Sequence, residues 1–93
     1  MTKSQLIEKL MDSTSELNKK ESELVVNTIF DSIGSALIGG DRVEIRGFGS
    51  FSIREREARQ ARNPKSGNLI DIPSKKTPFF KTGKELRERV DNL

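Results

Sequence analysis

Apolar residues recur every three or four positions up to about residue 40 of this chain, and every second position from 42 onward. In the first stretch Leu6 pairs with Leu10 and Ile7 with Met11 at four-residue spacing, which predicts a short amphipathic helix. Thr2-Lys3-Ser4-Gln5 reads as its capping box, with Thr2 at the N-cap and Gln5 three residues on. Asn18 ahead of Glu21 repeats that signal for a second helix. There Val26, Ile29, Phe30, Ile33 and Leu37 share one face, and Gly39-Gly40 ends the run. The polar connection between the two is too short for anything but a tight helical hairpin. Both helices read as core and interface, not as a binding site.

The period then falls to two. Val43 and Ile45 alternate with Arg42, Glu44 and Arg46, and Phe51 and Ile53 alternate with Ser50, Ser52 and Arg54. Gly47-Phe48-Gly49 lies between these runs, so they predict a hairpin with glycines where the backbone turns or packs closely. Phe48 and Phe51 read as core, because five phenylalanines are the only aromatic residues available. From Arg54 to Gly67 the chain has almost no apolar content; Leu69, Ile70 and Ile72 then resume a strand-like pattern before Pro73. A ribbon with Asn63-Pro64-Lys65-Ser66-Gly67 at its turn would have no core face. It is expected to project from the body and to be mobile without a partner. A third strand is expected over Lys75–Lys81, with Pro78 near its start or on an edge. Thr82-Gly83-Lys84-Glu85 reads as a further capping box, opening a helix through about Val90.

The predicted fold class is α+β, in one domain spanning residues 1–93. A helical hairpin for dimerisation covers 1–40, a three-stranded antiparallel sheet with a protruding β-ribbon arm at 54–74 covers 41–81, and a short helix covers 82–93. Composition makes this core thin: 32% of the residues are hydrophobic and 33% charged. Without cysteine no disulfide or thiolate-bound metal can staple the fold, so an obligate dimer is expected. No basic stretch followed by an apolar segment opens the chain, and no apolar run approaches bilayer length. The expectation is a soluble cytoplasmic protein without a membrane partner.

Charge is segregated along the chain. Residues 1–41 hold four basic side chains against seven acidic ones, a balance of −3, whereas residues 42–89 hold thirteen against six, a balance of +7. Such segregation points to a polyanion-binding half, although a merely solvated surface has the same composition. Catalysis is excluded on inventory, because without histidine or cysteine there is no imidazole base, thiolate or standard transition-metal site. Gly83-Lys84 lacks the upstream glycine of a phosphate-binding loop, and Gly47-Phe48-Gly49-Ser50 has the wrong order for a nucleophile elbow. No catalytic residue, metal, cofactor or small-molecule substrate is expected. Glu55 and Glu57, alternating with Arg54 and Arg56, suggest ion pairing. Arg59, Arg62 and Lys65 have no acid nearby and favour DNA contact, since the arginine fork bonds acceptors in two directions. Asn63-Pro64 reads either as a turn former or as a rigid apolar wedge at the end of a basic ribbon.

Gly47-Phe48-Gly49-Ser50-Phe51, Arg56, Arg59, Arg62-Asn63-Pro64-Lys65-Ser66-Gly67, Pro78, Phe80-Lys81 and Gly83-Lys84 together resemble the bacterial HU and integration host factor family. The resemblance covers essentially the whole chain. Met1-Thr2-Lys3-Ser4 and Glu44-Ile45-Arg46-Gly47 look more like the integration host factor beta subunit than typical HU. The resemblance implies an intertwined dimer, with an identical chain or a related subunit, whose two arms embrace double-stranded DNA in its minor groove and bend it. It implies that Pro64 intercalates, that Arg56, Arg59, Arg62 and Lys65 lie along the groove, and that Lys3, Lys81 and Lys84 hold flanking phosphates. The full candidate DNA-binding set is Lys3, Arg46, Arg54, Arg56, Arg59, Arg62, Asn63, Pro64, Lys65, Lys75, Lys76, Lys81 and Lys84. Glu44 and Arg46 match positions tied to sequence preference in integration host factor, and they also read as ordinary outward strand residues. Where the family usually carries Thr-Gly before Arg-Asn-Pro, this chain has Gln60-Ala61. Alanine takes positive φ less readily than glycine, so a difference in arm curvature or bulge is expected there. The implied role is that of a nucleoid-associated architectural protein; an RNA- or ribosome-associated basic module and a purely structural dimer are the alternatives.

Overall fold

The computed structural model describes residues 1–93 as two compact units, Met1–Ala36 and Leu37–Leu93. In the first unit α1 spans Lys3–Ser13 and α2 begins at Lys19, running on to Ile38. Both predicted capping boxes form. The Thr2 N–H donates to Gln5 Oε1 at 2.8 Å while Thr2 Oγ1 accepts from the Gln5 N–H. Asn18 Oδ1 accepts from the Glu21 N–H at 2.8 Å, and Glu21 Oε1 from the Asn18 N–H at 3.2 Å. Each box satisfies helix-end donors that have no partner inside the helix. Ile7 of α1 and Val26 of α2 are buried, as is Ser22, whose Oγ finds no hydrogen-bond partner. Neither helix is long and apolar enough to cross a membrane.

The second unit carries β1 (Val43–Ile45), β2 (Gly49–Arg56), β3 (Arg59–Arg62), β4 (Leu69–Ile72), β5 (Lys75–Thr82) and α3 (Lys84–Asp91). The α+β class is as expected, with an antiparallel three-stranded sheet in the order β1-β2-β5 and a separate two-stranded ribbon of β3 and β4. The β1–β2 turn needs both of its glycines, for different reasons. Gly47 has φ +86, open to glycine at little cost. At Gly49 a Cβ would stand 2.5 Å from the Lys81 carbonyl oxygen and from the Phe80 ring. Phe80 in turn lies 4.8 Å from Phe51 and 5.3 Å from Phe48 between ring centroids, in tilted geometries that favour aromatic pairs. The phenylalanines thus cluster, but they do not form the expected buried core within one chain: Phe48 and Phe80 are exposed and Phe51 is half-buried, because one side of the cluster is left uncovered. Pro78 falls in β5, an edge strand, where its missing N–H costs the ladder nothing.

Two further expectations are corrected. Thr82 does not cap α3: it is still paired with Gly49 in the sheet, its Oγ1 donates to the Gly83 carbonyl, and Gly83 is the N-cap without a side-chain bond. Strand pairing holds Thr82 back from the cap position. Where the arm is expected to start, β1 no longer covers β2, and Arg54, Glu55 and Arg56 pair with Thr77, Lys76 and Lys75 as a two-stranded ladder ahead of the β3–β4 ribbon. The ion pairs expected of Glu55 and Glu57 do not form; the one ion pair in the chain joins Lys84 and Glu88 at 4.0 Å. Neighbours along β2 point to opposite faces, so Glu55 cannot meet Arg54 or Arg56 there, and Glu57 lies outside the strands, between β2 and β3.

Candidate nucleic-acid interface

Strand register sorts the basic residues by face. Residues directly opposite one another in an antiparallel ladder share a face, and the face alternates along each strand. Ser50 pairs with Lys81 and Glu44, Ser52 with Phe79, Arg54 with Thr77, and Arg56 with Lys75. Arg54, Arg56, Lys75 and Lys81 therefore lie on one face, separated only by small hydroxyl side chains and Phe79. The opposite face holds Val43, Phe51 and Phe80, Ile53 and Pro78, then Glu55 and Lys76. Lys76 is thus the one candidate of the three-stranded sheet that the fold sets apart from the others.

On the basic face the Arg54 guanidinium sits over the Phe79 ring, 3.4 Å from its centroid. At the hairpin end a cleft of about 280 Å³ is lined by Arg42, Glu44, Arg46, Ser50 and Lys81, with Gly83 among its other residues. Sequence reasoning missed two members of this surface. Arg42 shares the two-residue spacing of Glu44 and Arg46, a signal that was present. Phe79 carried no signal, because its contact with Arg54 depends on the β2–β5 register. Lys84, the first residue of α3, is exposed and engaged with Glu88. Lys3 is exposed in the first turn of α1, in the other unit.

The ribbon has two unlike faces. Arg59 pairs with Ile72 and Ala61 with Ile70, which gives one face an apolar floor with an arginine at its base. Gln60 pairs with Asp71 and Arg62 with Leu69 on the other. Arg59 and Arg62, three residues apart, are therefore on opposite sides. Asp71 accepts a hydrogen bond from Gln60 Nε2 at 3.2 Å. Ala61 keeps negative φ in an uninterrupted ladder, so the Gln60-Ala61 step produces no bulge. At the tip the Asn63 N–H donates to the Asn68 carbonyl and the Gly67 N–H to the Asn63 carbonyl, each at 2.8 Å. Asn63 Oδ1 accepts from the Lys65 N–H at 2.9 Å, and Arg62 Nη1 donates to the Gly67 carbonyl at 3.0 Å. Pro64 stands exposed within this closed turn.

A surface of arginines and lysines on a regular β-ladder, continued by a two-stranded ribbon, suits a long polyanion better than a compact ligand. Comparison with known proteins agrees. The family model described as bacterial DNA-binding protein matches residues 1–91. The chain is similar to HU from Anabaena in a cocrystal with DNA, at 36% identity over 100% of both chains and a TM-score of 0.87. It is similar to HU from Thermotoga maritima, at 31% identity over 97% of this chain and 98% of that one, with a TM-score of 0.65. A mutant of transcription factor 1, at 24% identity over 100% of this chain and 93% of that one, shares the fold with a TM-score of 0.65. The chain belongs to the HU family of bacterial DNA-binding proteins, which are architectural proteins and not enzymes.

Proposed function

We propose that this protein binds duplex DNA through the minor groove and bends it, acting as a dimer whose two ribbons embrace the duplex. The observation that carries this reading is the alignment of Arg54, Arg56, Lys75 and Lys81 on one sheet face, next to a ribbon that ends in exposed Pro64. The basic face would neutralise phosphates while the ribbon follows the groove. Pro64 would enter between base steps, unstacking them in return for wider contact with bent DNA, the mode by which HU and integration host factor bind the minor groove. Glu44 and Arg46, in the cleft beside Lys81, are the place from which a moderate sequence preference would arise.

Dimerisation is supported by what a single chain leaves uncovered. Ile7, Val26 and Leu37 are its buried apolar side chains, while Leu24 is 67% exposed, Phe30 54% and Ile38 90%. With the arm set aside, roughly seventy residues remain to build a core, which is marginal without a further apolar interface. An identical chain or a related subunit would supply it.

Measuring end-to-end distance by fluorescence transfer on a labelled duplex tests bending directly. Binding should shorten the distance, and Pro64→Ala should reduce that change more than it reduces affinity. Unchanged bending in Pro64→Ala would refute the wedge. Competition with structured RNA tests the partner, because A-form RNA offers no narrow minor groove. Displacement by RNA at equal concentration would refute the DNA reading.

A further inference from the structure

We propose that Arg62 is a positioning residue for the arm tip, its guanidinium holding the turn that presents Pro64. Its consequence on DNA rests on the minor-groove reading above; its consequence in the free protein does not.

Arg62 is the last residue of β3, opposite Leu69, and its Nη1 reaches past the end of the ladder to the Gly67 carbonyl at 3.0 Å. Gly67 has φ +73, the left-handed conformation that turns the chain back toward β4. Its N–H is already committed to the Asn63 carbonyl at 2.8 Å. Both polar groups of Gly67 are thus tied, one to each of the residues that precede Pro64. The Arg59 side chain, on the other face of the ribbon, makes no hydrogen bond or ion pair within the chain. The two arginines differ in kind: Arg59 is free to meet an anion, whereas Arg62 has part of its fork engaged by the arm itself. A planar fork with five donors can hold the turn and still offer N–H groups outward. A two-stranded ribbon is marginal alone, so a tip left loose would have to be ordered on binding, at a cost to the bent complex.

Backbone amide exchange followed by NMR on the full-length, DNA-free protein tests the clamp. Arg62→Met should speed exchange at the Gly67 and Asn63 amides roughly three- to tenfold, the range expected for loss of one hydrogen bond. Arg59→Met should leave both amides unchanged. Wild-type exchange at Gly67 in Arg62→Met would overturn the proposal. Arg62→Lys keeps the charge without the fork, and should recover affinity in a titration but not the full bend on a saturated labelled duplex. Recovery of both would show that Arg62 acts as a charge alone, and would also overturn it. A wild-type protein that bound DNA without bending it would sink the minor-groove reading, while the exchange experiment would still decide the role of Arg62.

Discussion

Arg54 and Phe79 lie diagonally across β2 and β5, with the Arg54 guanidinium carbon 3.4 Å from the centre of the Phe79 ring. An arginine stacked on an aromatic face keeps its in-plane N–H donors at the edges, free for phosphate oxygens. The ring holds the side chain along the sheet face, so less freedom is lost when DNA arrives. Phe79→Leu keeps the strand apolar and removes the π-face. It is expected to weaken DNA binding about two- to fivefold, matching a cation–π contact of roughly 0.5–1 kcal/mol at an exposed site. The slope of affinity against salt should not change, because no charge is lost. A titration at several salt concentrations checks both statements.

Gly49 is the tightest point of the sheet. A methyl group there would stand 2.5 Å from the Lys81 carbonyl oxygen and 2.5 Å from Phe80 Cζ. The ring has some room to swing, but the carbonyl belongs to the paired strand and cannot yield without opening the ladder. Gly49→Ala is expected to cost about 2–3 kcal/mol of stability, at the upper end for overpacking. Urea unfolding would show this as a lower midpoint; an unchanged midpoint would mean that β5 can shift away.

Much of this was legible in the sequence, and the failures share one cause. Thr2 with Gln5 and Asn18 with Glu21 were readable because a capping box is closed within four residues. The turn at Asn63–Gly67 was readable because its residue types carry their own conformational preferences. The same local pattern misled at Thr82, where pairing with Gly49, far away in the chain, overrode the cap. Arg54 to Arg56 show their charge in the sequence, but that Lys75 to Thr77 stand opposite them is fixed only by the β2–β5 register. Local chemistry predicts what is closed locally. The face on which a basic residue falls depends on register, and register is set by contacts between strands.

Ser22 presents a polar group with nowhere to go. It is 0% exposed, and its Oγ has no hydrogen-bond partner. A buried hydroxyl left unpaired is costly, and serine is a poorer helix former than alanine. Ser22→Ala removes both penalties without adding volume. The variant is expected to be more stable by about 1 kcal/mol. Chemical unfolding should show a higher midpoint with the same denaturant slope. A loss of stability would indicate that the hydroxyl gains a partner in the proposed dimer.

Lys75 and Lys76 are adjacent and chemically identical, and both count equally in any tally of charge. Lys75 lies opposite Arg56 on the face that carries Arg54 and Lys81, whereas Lys76 lies opposite Glu55 on the other. If that face meets the phosphates, only one of the two lysines should displace counterions. Lys75→Ala is then expected to lower affinity and to flatten the plot of log K against log salt by about 0.9, the share of one phosphate contact. Lys76→Ala should leave the slope unchanged and reduce affinity only through the long-range field, which salt near physiological strength largely screens. Measuring both variants on one duplex over the same salt range makes each the control for the other. Equal slopes would mean that DNA does not lie on the face built by Arg54, Arg56, Lys75 and Lys81.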